Sequence, residues 1–392
     1  MEDPHHHYME TTTVPPKPTS PPNRFIPSNL PILGAEEIAA VTEVLESGML
    51  THKSGSGTFV RRFEEAFAKF VGAKHVIAMN SGTAALHAAL LAFDVKAGDE
   101  VIAPPFSFIA TTNMVLLNGA KVVFADISPD NFNLDPAKVE AAITPKTRAI
   151  LPVHLYGHPA DMDPLVELAQ KHDVRIIEDA AQAHGSKYKG RNVGTIGDVG
   201  CFSLYPSKVI TTGEGGLLTT NDDELAETLQ QIRTHGEIRP YEYVQLGHNY
   251  RLPELQAAIG VEQMKRLPVF LEKRKKNAEY LTSHLTDVKN IVRPTEASWA
   301  THNWYLYTIR ILAPRNRDNV QKTLHTAKIG AAIYYEVPLH LTPIYRRLFQ
   351  YKEGSMPVSE QAAKEVLSLP VHPALTEEER AWVVQQSLQA LA

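Results

Sequence analysis

Cysteine is almost absent from this chain: Cys201 stands alone among 392 residues. A single thiol excludes an internal disulfide and every zinc site built on clustered cysteines, and it suits a reducing compartment. Long apolar runs are missing as well. No stretch approaches the roughly 18 consecutive apolar residues that would cross a bilayer, and Met1–Leu30 holds no apolar segment of the kind a secretory leader needs. Positive charge is not in excess, since 39 Lys and Arg stand against 44 Asp and Glu for a net charge of −5. That balance argues against a nucleic-acid partner held through counterion release. There is no P-loop, and no Gly-x-Gly-x-x-Gly follows a first strand: Gly55-Ser-Gly57 lacks the third glycine. His154 and His158 bracket a glycine and precede a proline, which is not the helical pair of a metalloprotease. No metal and no membrane partner are expected, and the chain is expected in the cytoplasm.

What is present suits a globular enzyme. Residues 1–22 carry His5-His6-His7 and many prolines with little to bury, and read as a disordered tail. Helical spacing runs over Glu36–Ser47, closed by Gly48, and over Gly57–Val71, closed by Gly72. Val76–Met79, Val101–Ala103, Lys121–Asp126, Arg148–His154 and Val174–Glu178 are apolar runs of strand length. Ser81 is placed to cap a helix Gly82–Phe93. Asp135-Pro136 and Asp163-Pro164 each pair an N-cap with a proline at the first helical position. Strands alternating with helices predict right-handed βαβ units and a mostly parallel, buried sheet. Gly197–Leu204 and Gly216–Thr219 add two strands, read as antiparallel, and Pro268 is predicted to end the helix Glu254–Leu267. The fold class is therefore α/β. A large domain is expected over 23–267 and a smaller C-terminal α/β domain, with a strand at Trp304–Leu312, over 268–392.

Ligands of such sheets bind at the carboxyl ends of the strands, so polar residues there come first. Ser81-Gly82-Thr83 lies where a strand gives way to a helix, which makes either a phosphate site or a plain capping turn. Asp179 ends an apolar strand and could cap a helix, pair with a cation, or accept from a protonated ring nitrogen. Lys208 sits between an apolar strand and the turn Gly213-Glu-Gly-Gly216; it is either a solvated charge or a desolvated amine nucleophile. An anion cradle, a carboxylate and a lysine together are the set that pyridoxal 5'-phosphate (PLP) requires.

The strings Ser81-Gly-Thr-Ala-Ala-Leu86 and Glu178-Asp-Ala-Ala-Gln-Ala-His-Gly185 carry a family resemblance. So do Phe202-Ser203 with Lys208 five residues after the serine, and Gly247-His-Asn-Tyr-Arg-Leu252. Together they resemble the DegT/DnrJ/EryC1/StrS sugar aminotransferases, PLP enzymes of fold type I. The likeness runs from about Ile26 to the C-terminus and includes Val337-Pro-Leu-His-Leu341 and Leu369-Pro-Val-His-Pro373.

The resemblance implies that Lys208 bonds to PLP and shuttles the proton, and that Asp179 pairs with the pyridine nitrogen. Gly82, Thr83 and Ser203 would hold the phosphate, Phe108 would cover the ring, and Gln182 would lie near the ring hydroxyl. Asn249 would reach the phosphate of a neighbouring subunit, which makes a homodimer with shared sites. An amino acid, L-glutamate by resemblance, would donate to a keto-sugar carried on a nucleotide. A relative of different chemistry, the dehydrase that replaces the lysine, is disfavoured by Lys208. Two alternatives remain: amination of a cyclitol ketone, and a non-catalytic protein that binds PLP or a sugar nucleotide. His154 and His184 read first as core histidines. Arg239, Arg251 and His340 are candidate anion contacts without assigned roles, and Tyr334 and Tyr335 are candidate sugar contacts.

Overall fold

The computed structural model describes residues 20–392. The expected tail over 1–22 lies outside them except for its last three residues. In chain order the first strands are β1 (His75–Met79), β2 (Glu100–Ala103), β3 (Lys121–Phe124), β4 (Thr147–Ile150) and β5 (Arg175–Asp179). A short hairpin, β6 (Lys187–Tyr188) and β7 (Arg191–Asn192), precedes β8 (Val199–Ser203) and β9 (Gly216–Thr220).

Seven of these form one sheet in the order β1-β9-β8-β5-β4-β2-β3. β9 alone runs against its neighbours, pairing antiparallel with both β1 and β8. The mostly parallel sheet and the antiparallel β8–β9 pair both follow the reading of the sequence. Alternation explains why the strands read as continuous apolar runs: Ile102, Ile150, Ile176 and Phe202 enter the core on one face. Val101, Ala149, Ile177 and Cys201 enter the core on the other. Helices cover both faces, so the strand interiors are shut off from water.

Helix ends follow the capping chemistry. Gly48 and Gly72 close their helices with φ of 71° and 76°, in the left-handed region that glycine enters without steric cost. Ser81 Oγ accepts from Ala84 N–H at 2.9 Å and starts the helix Gly82–Ala92. Asp135 caps its helix as expected, but Asp163 does not. That helix begins at Met162, after Asp161, whose side chain accepts from the Tyr188 hydroxyl. Pro164 still falls in the first turn, where a missing N–H costs little.

A second correction concerns Pro268. The helix Glu254–His284 runs straight through it. A proline costs one backbone bond and some crowding, but Leu267 and Phe270 on either side are buried in the core, and packing there outweighs the local penalty. The boundary expected between 267 and 268 therefore falls inside a single helix. Beyond it, Ile291–Val292, Tyr307–Ile311 and Val366–Leu369 form a small antiparallel sheet over its own core of Leu281, Leu324 and Val383. The strand expected from Trp304 begins only at Tyr307, because Trp304 adopts a φ of 56° and Asn303 before it is tied to the carbonyls of Gln182 and His184. Among the described residues, no helix is long and apolar enough to cross a membrane.

Candidate active site

The carboxyl ends of β1, β5 and β8 open onto a cavity of about 480 Å³. Gly82, Thr83, Phe108, Asp179, Gln182, Ser203 and Lys208 all line it. Seven of the eight residues singled out from the sequence are thus brought together.

At one end, the amino terminus of helix Gly82–Ala92 presents free N–H groups beside Ser203. The approach is close enough that a Cβ on residue 82 would lie 2.9 Å from Ser203 Cβ and 3.1 Å from its Cα. Only glycine lets backbone amides and a serine hydroxyl converge there, which is a cradle suited to a phosphate.

At the other end, Asp179 is 4% exposed. Its Oδ2 accepts from Thr111 Oγ1 at 2.8 Å, and its Oδ1 accepts from Ala181 N–H at 3.1 Å. No cation touches it among the described residues, and burial pushes its carboxyl above the ordinary range. A protonated ring nitrogen would supply the missing counter-charge. Phe108, more than half exposed, lines the same cavity with an aromatic side chain.

Lys208 Nζ projects into the same space and lies 3.4 Å from the Tyr305 hydroxyl. Gln182 has its amide orientation set on both sides: its Oε1 accepts from Tyr156 N–H at 2.6 Å, and its Nε2 donates to the Tyr335 hydroxyl at 3.1 Å. Cradle, uncompensated carboxylate and amine fit the phosphate, ring nitrogen and carbonyl of PLP.

Beneath the site, Glu178 and His154 are both fully buried. Ala160 N–H donates to His154 Nδ1 at 2.9 Å, so the ring proton sits on Nε2 and is given to Glu178 Oε1, also at 2.9 Å. Glu178 further accepts from the amides of Gly194, Ile196 and Gly197, and with the histidine these hold its carboxyl below the usual range against burial. His154 is therefore a core histidine, as read. His184 is also fully buried, and burial, with nearby Lys208 acting in the same direction, pushes it down to about 3.

Other candidates lie elsewhere. His340 Nε2 donates to Glu360 Oε2 at 3.3 Å and packs against Phe124, outside the cavity. Arg239 pairs with Glu242 on an exposed hairpin. Asn249 is exposed and takes no part in the cavity of its own chain. Tyr334 and Tyr335 do line it. Thr111 and Tyr305 were missed from sequence. Each is distant along the chain from the residue it touches, and no local signal distinguishes a threonine or tyrosine that makes such a contact.

The family model described as "DegT/DnrJ/EryC1/StrS aminotransferase family" matches residues 31–387. Among curated relatives, the chain is 42% identical to GDP-perosamine synthase of Caulobacter vibrioides, covering 85% of this chain and 90% of that protein. Among solved structures it is similar to DesV of S. venezuelae in complex with a ketimine intermediate. The two are 38% identical with a TM-score of 0.87, and the match covers 93% of this chain and 99% of DesV. It is likewise similar to the PLP-form of putative sugar aminotransferase Spr1654 from Streptococcus pneumoniae. There the identity is 28% and the TM-score 0.87, over 94% and 100% of the two chains.

Proposed function

The chain belongs to the DegT/DnrJ/EryC1/StrS aminotransferase family, PLP-dependent enzymes of fold type I, and from that membership we propose that it moves an amino group from L-glutamate to a keto-sugar carried on a nucleoside diphosphate. The observation that carries this reading is one lysine amine sharing a single cavity with a cradle suited to a phosphate and an uncompensated buried carboxylate. Similarity to GDP-perosamine synthase and DesV supports the sugar as acceptor. PLP when bound supplies a carbonyl that takes the migrating amino group and a protonated ring that absorbs charge developing at the adjacent carbon.

In this reading the chain's own groups divide the work. The amides of Gly82 and Thr83 and the Ser203 hydroxyl hold the phosphate, so the cofactor stays in place when Lys208 lets go of it. Asp179 accepts the ring N–H and keeps that proton on the nitrogen, with Thr111 and Ala181 fixing the carboxylate. Phe108 covers one ring face, and Gln182 is held by Tyr156 and Tyr335 at the edge. Lys208 Nζ takes the proton from the donor's α-carbon and delivers it across the same face, then reverses the transfer for the sugar. Asn249, unused by its own cavity, completes the phosphate cradle of a second copy, making a homodimer with shared sites.

Lys208→Ala tests the assignment. The variant should retain PLP through cradle, carboxylate and aromatic face, yet transfer no amino group; measurable turnover by it would reject Lys208 as the reacting amine.

A further inference from the structure

Tyr305 and Leu306 line the cavity just before the strand Tyr307–Ile311, and the segment Asn303–Leu306 that carries them is fastened on several sides. Tyr305 N–H donates to Asn303 Oδ1 at 2.8 Å, while Asn303 Nδ2 donates to the carbonyls of Gln182 and His184 at 2.9 and 3.0 Å. Leu306 N–H donates to Tyr156 O at 3.2 Å. From behind, Arg274 donates to the carbonyls of Trp304 and Tyr305 and to Asn29 Oδ1. This guanidinium is 2% exposed, meets only neutral oxygens, and is lowered by burial to about 10. A buried cation spent on two backbone carbonyls is costly, and what it fixes is the backbone that carries Tyr305.

The Tyr305 ring lies under the reacting amine. Lys208 Nζ is 4.9 Å from its centroid and donates to its hydroxyl at 3.4 Å. The same hydroxyl is 3.2 Å from Ser207 Oγ. Of the ionisable groups that line the cavity with Lys208, which include Tyr334, only Tyr305 makes a hydrogen bond to Nζ. Asp179 is taken by Thr111 and Ala181, Tyr335 by Gln182, and His184 is neutral; Glu214 and Tyr205 line the cavity without a recorded bond to Nζ.

We propose that Tyr305 is a positioning residue for amino transfer: its ring face and hydroxyl hold the Lys208 amine whenever that amine is not bonded to the cofactor. The proposal rests on the reading of Lys208 as the reacting amine. A freed lysine has four rotatable bonds and would otherwise spread over many rotamers. Here the ring face attracts its ammonium form, the phenol oxygen accepts one of its protons, and the phenol proton passes to Ser207 Oγ.

The test uses the full chain loaded with pyridoxamine 5'-phosphate, which cannot bond to Lys208 and leaves it free. Pulses of acetic anhydride from about pH 7 to about pH 11, read by mass spectrometry on the Lys208 peptide, give its titration midpoint, with exposed Lys276 as reference. Tyr305→Phe removes an acceptor for the ammonium form, so the Lys208 midpoint should fall by roughly 0.5–1 pH unit while that of Lys276 stays put. Tyr305→Leu, lacking the ring as well, should lower it further. An unchanged Lys208 midpoint in Tyr305→Phe overturns the proposal. In the same series, borohydride reduction of PLP-loaded wild type must fix the cofactor to Lys208. Fixation at another lysine overturns the underlying reading, and the proposal with it.

Discussion

Glu178→Gln changes two protons and one charge at a fully buried position, and the structure says why that should be expensive. The Oε1 side of the carboxylate accepts from His154 Nε2 and Gly194 N–H, and the Oε2 side from Ile196 and Gly197 N–H. A glutamine must turn its NH₂ toward one side or the other, and either choice sets a donor against two donors. His154 cannot relieve this by moving its proton, because Nδ1 already accepts from Ala160. Two buried donors losing their acceptor at about 1–3 kcal/mol each gives roughly 2–6 kcal/mol of destabilisation. Urea unfolding of wild type and variant at equal protein concentration and pH 7.5 measures it. Because the folded carboxyl is held below its ordinary value, the stabilisation it provides is fully present above the unfolded value of about 4.5 and is lost as pH falls through the folded one. The gap between the two proteins should therefore hold constant near neutrality and close in acid below about pH 4.5. A difference under about 1 kcal/mol at pH 7.5 would refute the account of Glu178 as a carboxylate satisfied by four donors.

Thr111→Val deletes one donor to the buried Asp179 carboxylate at nearly constant volume; its dissociation constant for PLP, by equilibrium dialysis, should rise roughly 10- to 100-fold, and a change under about twofold would contradict the role given to Asp179. Asn249→Ala should lose cofactor faster on dilution than wild type, whereas equal retention would reject its part in a shared site. Mixing inactive Lys208→Ala with Asn249→Ala should restore activity, since one site of the hybrid dimer then has both residues intact; absence of recovery after subunit exchange would reject sharing.

Most of what positions the site was legible because it is local. Ser81 and Gly82 announce a helix start, Asp179 stands at the end of an apolar run, and Lys208 is bracketed by a strand and a glycine turn. The sheet was readable from the same source, as both faces of strands such as Val101–Ala103 are buried. What escaped depends on contacts between distant segments. Pro268 carries a strong breaking signal, yet the core around Leu267 and Phe270 keeps its helix continuous. Asp163 looks like a cap until the partner of Asp161, Tyr188, is known. Trp304 belongs to an apolar run by composition, but its left-handed backbone delivers Tyr305 to Lys208 instead of extending the strand. Nothing local in the sequence marks Arg274, whose buried bonds run to the Trp304 and Tyr305 carbonyls about 30 residues away.

The most direct measurement of the central claim is the visible absorbance of the PLP-loaded protein through one full cycle. The band of lysine-bound cofactor should bleach when L-glutamate is added and return when a keto-sugar on a nucleoside diphosphate follows, with Lys208→Ala showing neither change. A band that stays unmoved by glutamate and by such sugars would contradict the account.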